Sequence, residues 1–330
     1  MDLIIKVIVT AMTVVALTVG FFRLLGHLIL FATFHKRLDS DNNCRKIDRN
    51  KFHNLKSRVI KIKSDKNYLF GEMFCCRKNE YKYKGIIILV HGHKLFYLDY
   101  LHEINYFCEK GYLVYAYDTS GCGFSSGNKI SGHPTWFIDL HNVICYFEKN
   151  EEFNIYDLFL FGHSMGGYAV TTVLNFNHRK VKAVVACSPI NSGFNFGYTV
   201  WKNHQNFITK QLYISMLKHE YKRFEELALY SAKDGIMKSK IPTLIIHGKY
   251  DKVVPLNYSL YQIKDEFRTQ KNVEFYLKDT TSHFVFKEGV KYEILSSFFS
   301  RYKRPYEYNI DLQIMDRIVS HYDLYCERID

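Results

Sequence analysis

The chain has 330 residues, of which 47% are hydrophobic and 24% charged, and its formal net charge is +12. It contains no internal repeat or low-complexity tract, and its five prolines are too few for rigid interdomain linkers. The eight cysteines lack the spacing of a metal-binding motif, so we expect reduced thiols, no disulfide framework, no metal site and no cofactor.

The segment 1–34 is mostly apolar, and its uncharged part is nearly as long as a membrane-spanning helix. No charged residue lies between Val7 and Phe22, and apolar character continues to Phe34. A spanning helix needs about 20 residues, a length that is reached if the ammonium group of Lys6 extends to the membrane surface. We therefore expect residues 1–34 to form a membrane-anchor helix.

Two other interpretations of this segment stay open. Thr18-Val19-Gly20 is an acceptable cleavage site for a signal peptide, which would send the chain into the secretory pathway or out of the cell. A hairpin or an interfacial helix is the other alternative.

Positive charge is concentrated after this segment. We expect a basic juxtamembrane segment over 35–57, and by the positive-inside rule it places the following domain in the cytosol. The glycosylation sequon Asn257-Tyr258-Ser259 argues for the secretory alternative. The formal net charge of +12 predicts a preference for an anionic membrane surface as partner. We expect no nucleic acid as partner, because the basic residues form no compact cluster and no recognition motif accompanies them. The basic residues are Arg23, Lys36, Arg37, Arg45, Lys46, Arg49, Lys51, Lys56, Arg58, Lys61, Lys63 and Lys66.

Apolar runs then alternate with helical patterns. The run from Gly85 to Val90 predicts a buried parallel strand, which opens into a loop at His91-Gly92-His93. A tight turn at Gly92 can direct backbone N–H groups at a ligand. The alternation predicts a parallel sheet flanked by helices. The helical patterns run from Tyr97 to Lys110, from Trp136 to Lys149 and from Met165 to Asn175.

The segment Gly162-His163-Ser164-Met165-Gly166 places a serine between two glycines at the end of an apolar run. A serine at the tip of a sharp strand-to-helix turn needs small residues two positions before and after it, because the strained turn leaves no room for side chains there. Alone, the pattern also fits an ordinary turn, so the rest of the chain decides between the two.

Two later strands supply an acid and a base. The run 242–248 predicts a strand whose loop carries Asp251, and the run 273–277 predicts another whose loop carries His283. The order along the chain is therefore serine, aspartate, histidine.

These motifs resemble those of the α/β-hydrolase superfamily, in its monoacylglycerol lipase and serine aminopeptidase-like branch. The resemblance covers roughly Arg58 to Arg301 and implies a mostly parallel central sheet flanked by helices, with a helical cap insertion. Two positions depart from the family pattern: His93 is bulky where members usually have a smaller residue, and the loop 279–282 lacks a glycine that members often carry. The motifs are His91-Gly92, Asp118 to Ser125, Gly162 to Gly167, Gly248 to Asp251 and the loop of His283.

The resemblance implies a catalytic triad of Ser164, His283 and Asp251. A serine hydroxyl is a weak nucleophile at neutral pH, so His283 would take its proton. Asp251 would hold the imidazole in one tautomer and stabilise it when it becomes charged. By position, the backbone N–H groups of His93 and Met165 would stabilise the oxyanion.

Other polar residues near these motifs receive supporting roles. Asp279 competes with Asp251 for the position of the acid because it lies close to His283, but we favour Asp251 and expect Asp279 to cap its loop. We expect Asp118 to order its own loop. The residues expected to support the motifs are His91, Gly92, Gly162, His163 and Gly166.

We expect the cap at about 190–240, after the strand 181–186. Ile208, Leu212 and Met216 recur at every fourth position, which predicts an apolar helical face. An ordinary core helix has the same pattern. An aromatic, apolar cap favours a lipid or other hydrophobic acyl substrate. Its aromatic residues include Phe194, Phe196, Tyr198, Trp201 and Phe207.

The sequence as a whole predicts a membrane-associated serine hydrolase that cleaves esters with hydrophobic acyl groups. Monoacylglycerols or lysophospholipids are the leading substrates. A thioesterase or protein depalmitoylase is the alternative among enzymes, and a catalytically silent protein that binds a lipid or a partner is the alternative outside them. The expected domains are the anchor 1–34, the basic segment 35–57, a hydrolase domain 58–301 with its cap, and a helical C-terminal tail 302–330.

Overall fold

The computed structural model describes residues 2–39, 49–77, 83–288 and 309–326. Arg45, Lys46 and the expected domain boundary between 301 and 302 lie outside the described residues. The helices are α1 (Asp2–Phe34), α2 (Leu101–Glu109), α3 (Pro134–Lys149), α4 (Met165–Thr172), α5 (Gly193–His204), α6 (Phe207–Phe224), α7 (Ala232–Lys238) and α8 (Leu312–Asp323). The strands are β1 (Leu55–Ser64), β2 (Asn67–Cys76), β3 (Ile86–Val90), β4 (Leu113–Tyr117), β5 (Leu158–His163), β6 (Val181–Cys187), β7 (Thr243–Gly248), β8 (Val273–Lys278), β9 (Lys287–Glu288) and β10 (Asn309–Ile310).

Eight of these strands form one sheet in the order β1-β2-β4-β3-β5-β6-β7-β8. All pairs from β4 to β8 are parallel, whereas β2 pairs antiparallel with both β1 and β4. Strands β3, β4, β5 and β7 are buried along their whole length, as central strands are when helices cover both faces of a sheet. The predicted mostly parallel sheet flanked by helices is confirmed.

The hydrophobic core is divided between the two faces of this sheet. On one face, β-strand side chains pack with Trp136 of α3 and Ala169 of α4, and on the other with Phe107 of α2 and Ile318 of α8. The hydroxyl of Tyr322 in α8 donates a hydrogen bond to the carbonyl oxygen of Leu160, 2.8 Å away, in the middle of the sheet. Helix α8 is therefore part of the main core, although the sequence places it in a tail.

Helices α5, α6 and α7 lie between β6 and β7, at the position expected for the cap. Helix α6 begins where the side chain of Asn206 accepts a hydrogen bond from the backbone N–H of Thr209. The single apolar face predicted for α6 is divided. The backbone of Leu212 lies against Gly26 of α1, the methyl group of Met216 lies against Gly197 of α5, and Ile208 is 43% exposed.

Helix α1 packs lengthwise on α6. The hydroxyl of Ser215 donates a hydrogen bond of 2.8 Å to the carbonyl oxygen of Arg23, and a Cβ placed on Gly26 would lie 2.8 Å from the Cβ of Ser215. The rings of His27 and His219 are in contact, with centroids 5.2 Å apart. Gly26 therefore allows the two helix backbones to approach closely.

The first part of α1 makes a different kind of surface. Asp2–Ile29 has a mean hydropathy of 2.3, and its residues 2–18 are all exposed. At a rise of about 1.5 Å per residue the whole helix is about 50 Å long, which exceeds the roughly 30 Å of a bilayer core. Its length and composition suit a membrane span, and a signal sequence near an N-terminus has the same properties.

Candidate active site

Ser164 occupies a sharp turn between β5 and α4. Its backbone angles are φ 56° and ψ −114°, a conformation that non-glycine residues rarely adopt. A Cβ on Gly162 would lie 2.1 Å from the carbonyl oxygen of Gly166, and a Cβ on Gly166 would lie 2.0 Å from that of Val90. Both positions therefore require glycine, for the steric reason that the sequence pattern suggests.

His283 and Asp251 form a buried hydrogen-bonded pair. Nδ1 of His283 lies 2.6 Å from Oδ2 of Asp251, and the two side chains are 6% and 0% exposed. The other oxygen, Oδ1, accepts hydrogen bonds from the backbone N–H groups of Val253 and Val254 at 2.8 and 3.0 Å. Burial raises the pKa of Asp251, but the hydrogen bonds from His283 and Val254 outweigh it and the pKa is lowered. Asp251 is thus held as a carboxylate.

Asp279, the competing acid, is exposed at the start of the loop that carries His283. The imidazole of His283 faces Asp251 and not Asp279. The hydrogen bond of His283 therefore favours the acid preferred from the sequence.

The three proposed catalytic residues follow β5, β7 and β8, whose carboxyl ends lie at the same edge of the sheet. His163, immediately before Ser164, links two of the loops: its Nε2 lies 3.1 Å from the carbonyl oxygen of His283. That carbonyl oxygen also accepts a hydrogen bond of 2.9 Å from the hydroxyl of Ser188, which follows β6. The backbone of the base is thus fixed by residues from two neighbouring strands.

The loop after β3 joins the same network through Tyr100. The Tyr100 hydroxyl accepts a hydrogen bond from the backbone N–H of Gly92 at 3.0 Å and lies 2.9 Å from Nδ1 of His163. Since Nε2 of His163 faces a carbonyl oxygen, it carries the proton, and Nδ1 accepts from the tyrosine. Burial and the nearby His283 and Lys287 lower the pKa of His163 well below its usual value, so that it is neutral.

His91 and His93 have different surroundings in this loop. His91 is fully buried, with Nδ1 2.8 Å from the carbonyl oxygen of Gly92 and Nε2 accepting from the backbone N–H of Thr119 at 3.0 Å. Burial lowers the pKa of His91 to about 4. The ring of His93 is close to Phe34 and Trp136, with centroids 6.2 and 5.8 Å away. His91 therefore shapes the loop, and His93 contacts the end of α1.

Asp118 orders its loop as expected. It is buried, its Oδ1 accepts from the backbone N–H of Tyr97 at 3.1 Å, and its Oδ2 accepts from that of Phe124 at 2.9 Å. Burial raises the pKa of Asp118 to about 7, although these two hydrogen bonds oppose the shift. Its oxygens point at backbone groups of two loops, which is a structural role.

Sequence reasoning missed three residues of this network: Tyr100, Ser188 and His247. Nε2 of His247 lies 2.9 Å from the carbonyl oxygen of Val254 and 3.6 Å from Oδ2 of Asp251, so that it braces the loop of the acid. His247 stands at the carboxyl end of a predicted strand, which is a signal that points to the site. Tyr100 carries no such signal among the 26 tyrosines of the chain.

Helix α1 and the cap helix α6 both contact His133, which lies near this site. Phe34, the last residue of α1, packs on the ring of His133 with centroids 4.7 Å apart. Oε1 of Glu220 in α6 accepts from the backbone N–H of His133 at 3.0 Å and lies 2.6 Å from its Nδ1. Because His93 also contacts Phe34, the end of α1 lies between the cap and the loop after β3.

Comparisons with known proteins show what this chain is similar to in sequence and in fold. Residues 81–222, which include Ser164, match the family described as serine aminopeptidase, S33. Esterase/lipase 2 of Mycoplasma genitalium is 25% identical over 228 residues, which cover 60% of this chain and 82% of that protein.

Two solved structures are similar in fold. An esterase of Pyrococcus furiosus has a TM-score of 0.58 at 17% identity and covers 85% of this chain and 95% of its own. An alpha-beta hydrolase of Vibrio vulnificus has a TM-score of 0.56 at 14% identity and covers 86% of this chain and 88% of its own. At these identities the likeness concerns the fold.

Proposed function

We propose that this chain, an α/β-hydrolase and an ester hydrolase of the esterase/lipase type, attacks its substrates with the hydroxyl of Ser164. The observation that carries the proposal is the buried pair of His283 and Asp251 at the same sheet edge as the strained turn of Ser164. A turn of this kind exposes a serine hydroxyl at the edge of the sheet where the loops of the acid and the base meet.

The proposed mechanism begins with proton transfer from Ser164 to His283 as the serine oxygen attacks the ester carbonyl. Nδ1 of His283 faces Asp251, which leaves Nε2 as the proton acceptor. The resulting imidazolium is stabilised by the Asp251 carboxylate and returns the proton to the leaving alcohol. Water then hydrolyses the acyl-enzyme by the same route, with His283 as the base.

The oxyanion formed in each step needs two preorganised donors. Met165 is the first residue of α4, and backbone N–H groups in the first turn of a helix have no partner within the helix. The second proposed donor is the backbone N–H of His93. Its loop lies against the nucleophile, since a Cβ placed on Gly92 would be 3.3 Å from the Cβ of Ser164. Loss of one such donor typically costs about 3–4 kcal/mol of transition-state stabilisation.

We propose hydrophobic esters in a membrane, with monoacylglycerols or lysophospholipids foremost, as the substrates. The contact of α1 with the cap helix α6 supports this, because a helix that suits a membrane span leads directly to the site. Phe34 at its end lies beside His93, one of the two proposed oxyanion donors. An acyl chain that leaves a bilayer beside α1 would therefore approach Ser164 past Phe34.

We also propose that the surface beside α1 prefers anionic membranes and lies in the cytosol. The pKa of Lys129 is lowered by slight burial and by the positive charges of Arg223 and Lys66. Lys129 and Arg223 are therefore close enough for their charges to repel. Cations that repel one another are stabilised by a negatively charged partner such as an anionic lipid surface. Basic residues beside a membrane helix also favour the cytosolic side.

The first prediction tests the nucleophile. Ser164→Ala should abolish labelling by a fluorophosphonate probe and hydrolysis of a short soluble ester, because the proposed acyl-enzyme forms on its hydroxyl. The matched control is Ser126→Ala, which removes an exposed serine hydroxyl that accepts from the backbone N–H of Tyr68. This control should be labelled and active like the wild type. Full turnover by Ser164→Ala would overturn the proposal.

The substrate class is tested separately with vesicles that contain one candidate each. We expect turnover of monoacylglycerol or lysophospholipid to exceed that of a palmitoyl thioester carried on a peptide. Preference for the thioester would replace the proposed substrate with a lipidated protein while leaving the role of Ser164 in place.

A further inference from the structure

A second cluster of reactive side chains lies at the opposite edge of the sheet from Ser164. His141 and Cys145 are one helical turn apart on α3, and His178 lies between α4 and β6. This region leads into the amino ends of β5 and β6, whereas Ser164 follows the carboxyl end of β5. The cluster is therefore separate from the catalytic machinery.

The three side chains offer ligand atoms that all lie within 4.8 Å of one another. Nδ1 of His141 is 3.1 Å from Nε2 of His178, and Sγ of Cys145 is 3.8 Å from the other ring nitrogen of His141, Nε2. In a tetrahedral zinc site, ligand atoms about 2.0–2.3 Å from the ion stand about 3.3–3.8 Å apart. Only one nitrogen of His141 can bind the ion, so the cluster, with one ligand atom per residue within 4.8 Å of the others, reaches this spacing by small movements of its side chains.

The second ring nitrogen of His178, Nδ1, lies on the side of the ring that faces away from His141. His178 is 6% exposed, and its Nδ1 has no hydrogen-bond partner among the described residues. The nearest carboxylate oxygen, Oε2 of Glu148, is 3.7 Å from Nδ1, while Oε1 of Glu148 accepts from the backbone N–H of Lys180 at 3.0 Å. Metal-binding histidines commonly direct their second nitrogen at a carboxylate in this way.

The sequence predicts no metal site, because His178 is far from the other two residues along the chain, but from their position in the fold we propose that His141, Cys145 and His178 bind one zinc ion, with Glu148 orienting His178. Two imidazoles and a thiolate form a ligand set that suits zinc, and a water molecule would complete the tetrahedron. Cysteine binds zinc as the thiolate, so binding releases the thiol proton to solvent. His141 and Cys145 are half-buried, which leaves a path for the ion.

A bound ion would join α3 to the segment between α4 and β6. Helix α4 begins at the turn of Ser164, so the ion would fasten the far end of the helix that carries the nucleophile. Zinc should accordingly raise the thermal unfolding midpoint, because a ligand that binds only the folded state stabilises it. The contrasting interpretation is a hydrogen bond between two histidines with no metal.

Cobalt is the spectroscopic probe for this site in the full-length protein, held in detergent and stripped of metal with a chelator. We expect one cobalt ion per chain, with a thiolate-to-cobalt charge-transfer band that one equivalent of zinc removes. Cys145→Ser should lose the band, and His178→Asn should weaken cobalt binding at least tenfold. The control variants Cys326→Ser and His53→Asn, which remove a half-buried thiol and an exposed imidazole outside the cluster, should behave like the wild type.

Glu148→Gln tests the positioning role. It should weaken binding by about 10–100-fold and keep the charge-transfer band, since it changes only the partner of a ligand. Absence of a cobalt band in the wild type, or a band that persists in Cys145→Ser, would overturn the proposal. If His178→Asn does not fold, Cys145→Ser alone decides.

Discussion

Asp251 and His283, the proposed acid and base, differ in whether the contacts that hold them come from their own loop or from other strands. Asp251 is held by the backbone of its own loop, whereas the backbone of His283 is fixed by His163 and Ser188 from other strands. The sequence therefore identifies the residues proposed for chemistry, because their motifs are short and ordered along the chain. It does not identify Ser188 or Tyr100, because their roles depend on contacts that form only in the folded protein.

The second prediction concerns the acid. Asp251→Asn should lower kcat for a short soluble ester by roughly 10³–10⁴-fold, since an amide cannot hold the required tautomer of His283 or stabilise its charge. Asp279→Asn is the matched control and should change kcat less than twofold, because Asp279 is exposed and does not face the imidazole. Steady-state kinetics of the two variants compare them directly. The reverse order of effects would identify Asp279 as the acid.

The third prediction concerns His91 and pH. Its pKa in the folded chain is about 4, below the ordinary value of 6.5, so that below pH 6.5 the unfolded chain binds a proton that the folded chain does not. His91 therefore makes the free energy of unfolding fall as pH decreases through this window, by about 2 kcal/mol between pH 7.5 and 5. His91→Asn removes the titrating group.

Denaturant unfolding of the wild type and His91→Asn in detergent at the two pH values measures this difference. The stability advantage of the wild type should shrink at pH 5 or reverse. An advantage that stays constant would show that His91 is protonated equally in the folded and unfolded chains.

At the scale of elements, the central strands are predictable because each is apolar on both faces. The hairpin of β1 and β2, which forms one side of the sheet, is not predictable in this way. Most residues of β1 are exposed, and its lysines alternate with buried residues. The apolar positions of α6 can be predicted from the sequence, but the helices that they contact cannot. The side chain of Met216 lies against α5, whereas α1, from the far end of the chain, approaches the backbone of Leu212.

The fourth prediction tests the packing of α1 on α6. Gly26→Val should separate the two helices, because its Cβ would lie 2.8 Å from that of Ser215. Overpacking of this kind costs about 1–3 kcal/mol of stability, so the contact of α1 with the cap should weaken and hydrolysis of an ester embedded in vesicles should fall. Gly20→Val is the matched control on the same helix, since a Cβ there meets nothing within 4 Å. Equal activity of the two variants would show that the close packing at Gly26 is dispensable.

At the scale of the whole molecule, α1 has two parts with separate surroundings. Its contacts with the cap at Arg23, Gly26 and His27 all lie after Gly20, the expected end of a signal peptide. Cleavage there would leave these contacts intact, so they favour neither interpretation of the N-terminus. The unburied apolar part before them is the one that distinguishes an anchor from a removable signal.

The fifth prediction compares two truncations. Deletion of residues 2–18 should release the protein from membranes and lower hydrolysis of vesicle-embedded substrate at least tenfold, while a short soluble ester is hydrolysed at the wild-type rate. Deletion of 1–34 should lower both activities, because it also removes Phe34 from between His93 and His133. Membrane fractionation and the two assays measure these effects. Unchanged fractionation after the shorter deletion would contradict the anchor and favour a signal peptide.

The continuity of α1 with the cap has a kinetic consequence. With its apolar part in a bilayer, as we propose, an unbroken helix holds the site at a fixed height above the lipid surface. The enzyme and its substrate then meet by diffusion in two dimensions. Adding an inert lipid to the same vesicles should slow hydrolysis even when the total amount of ester is unchanged. The governing variable would be the mole fraction of substrate in the membrane, as in surface-dilution kinetics.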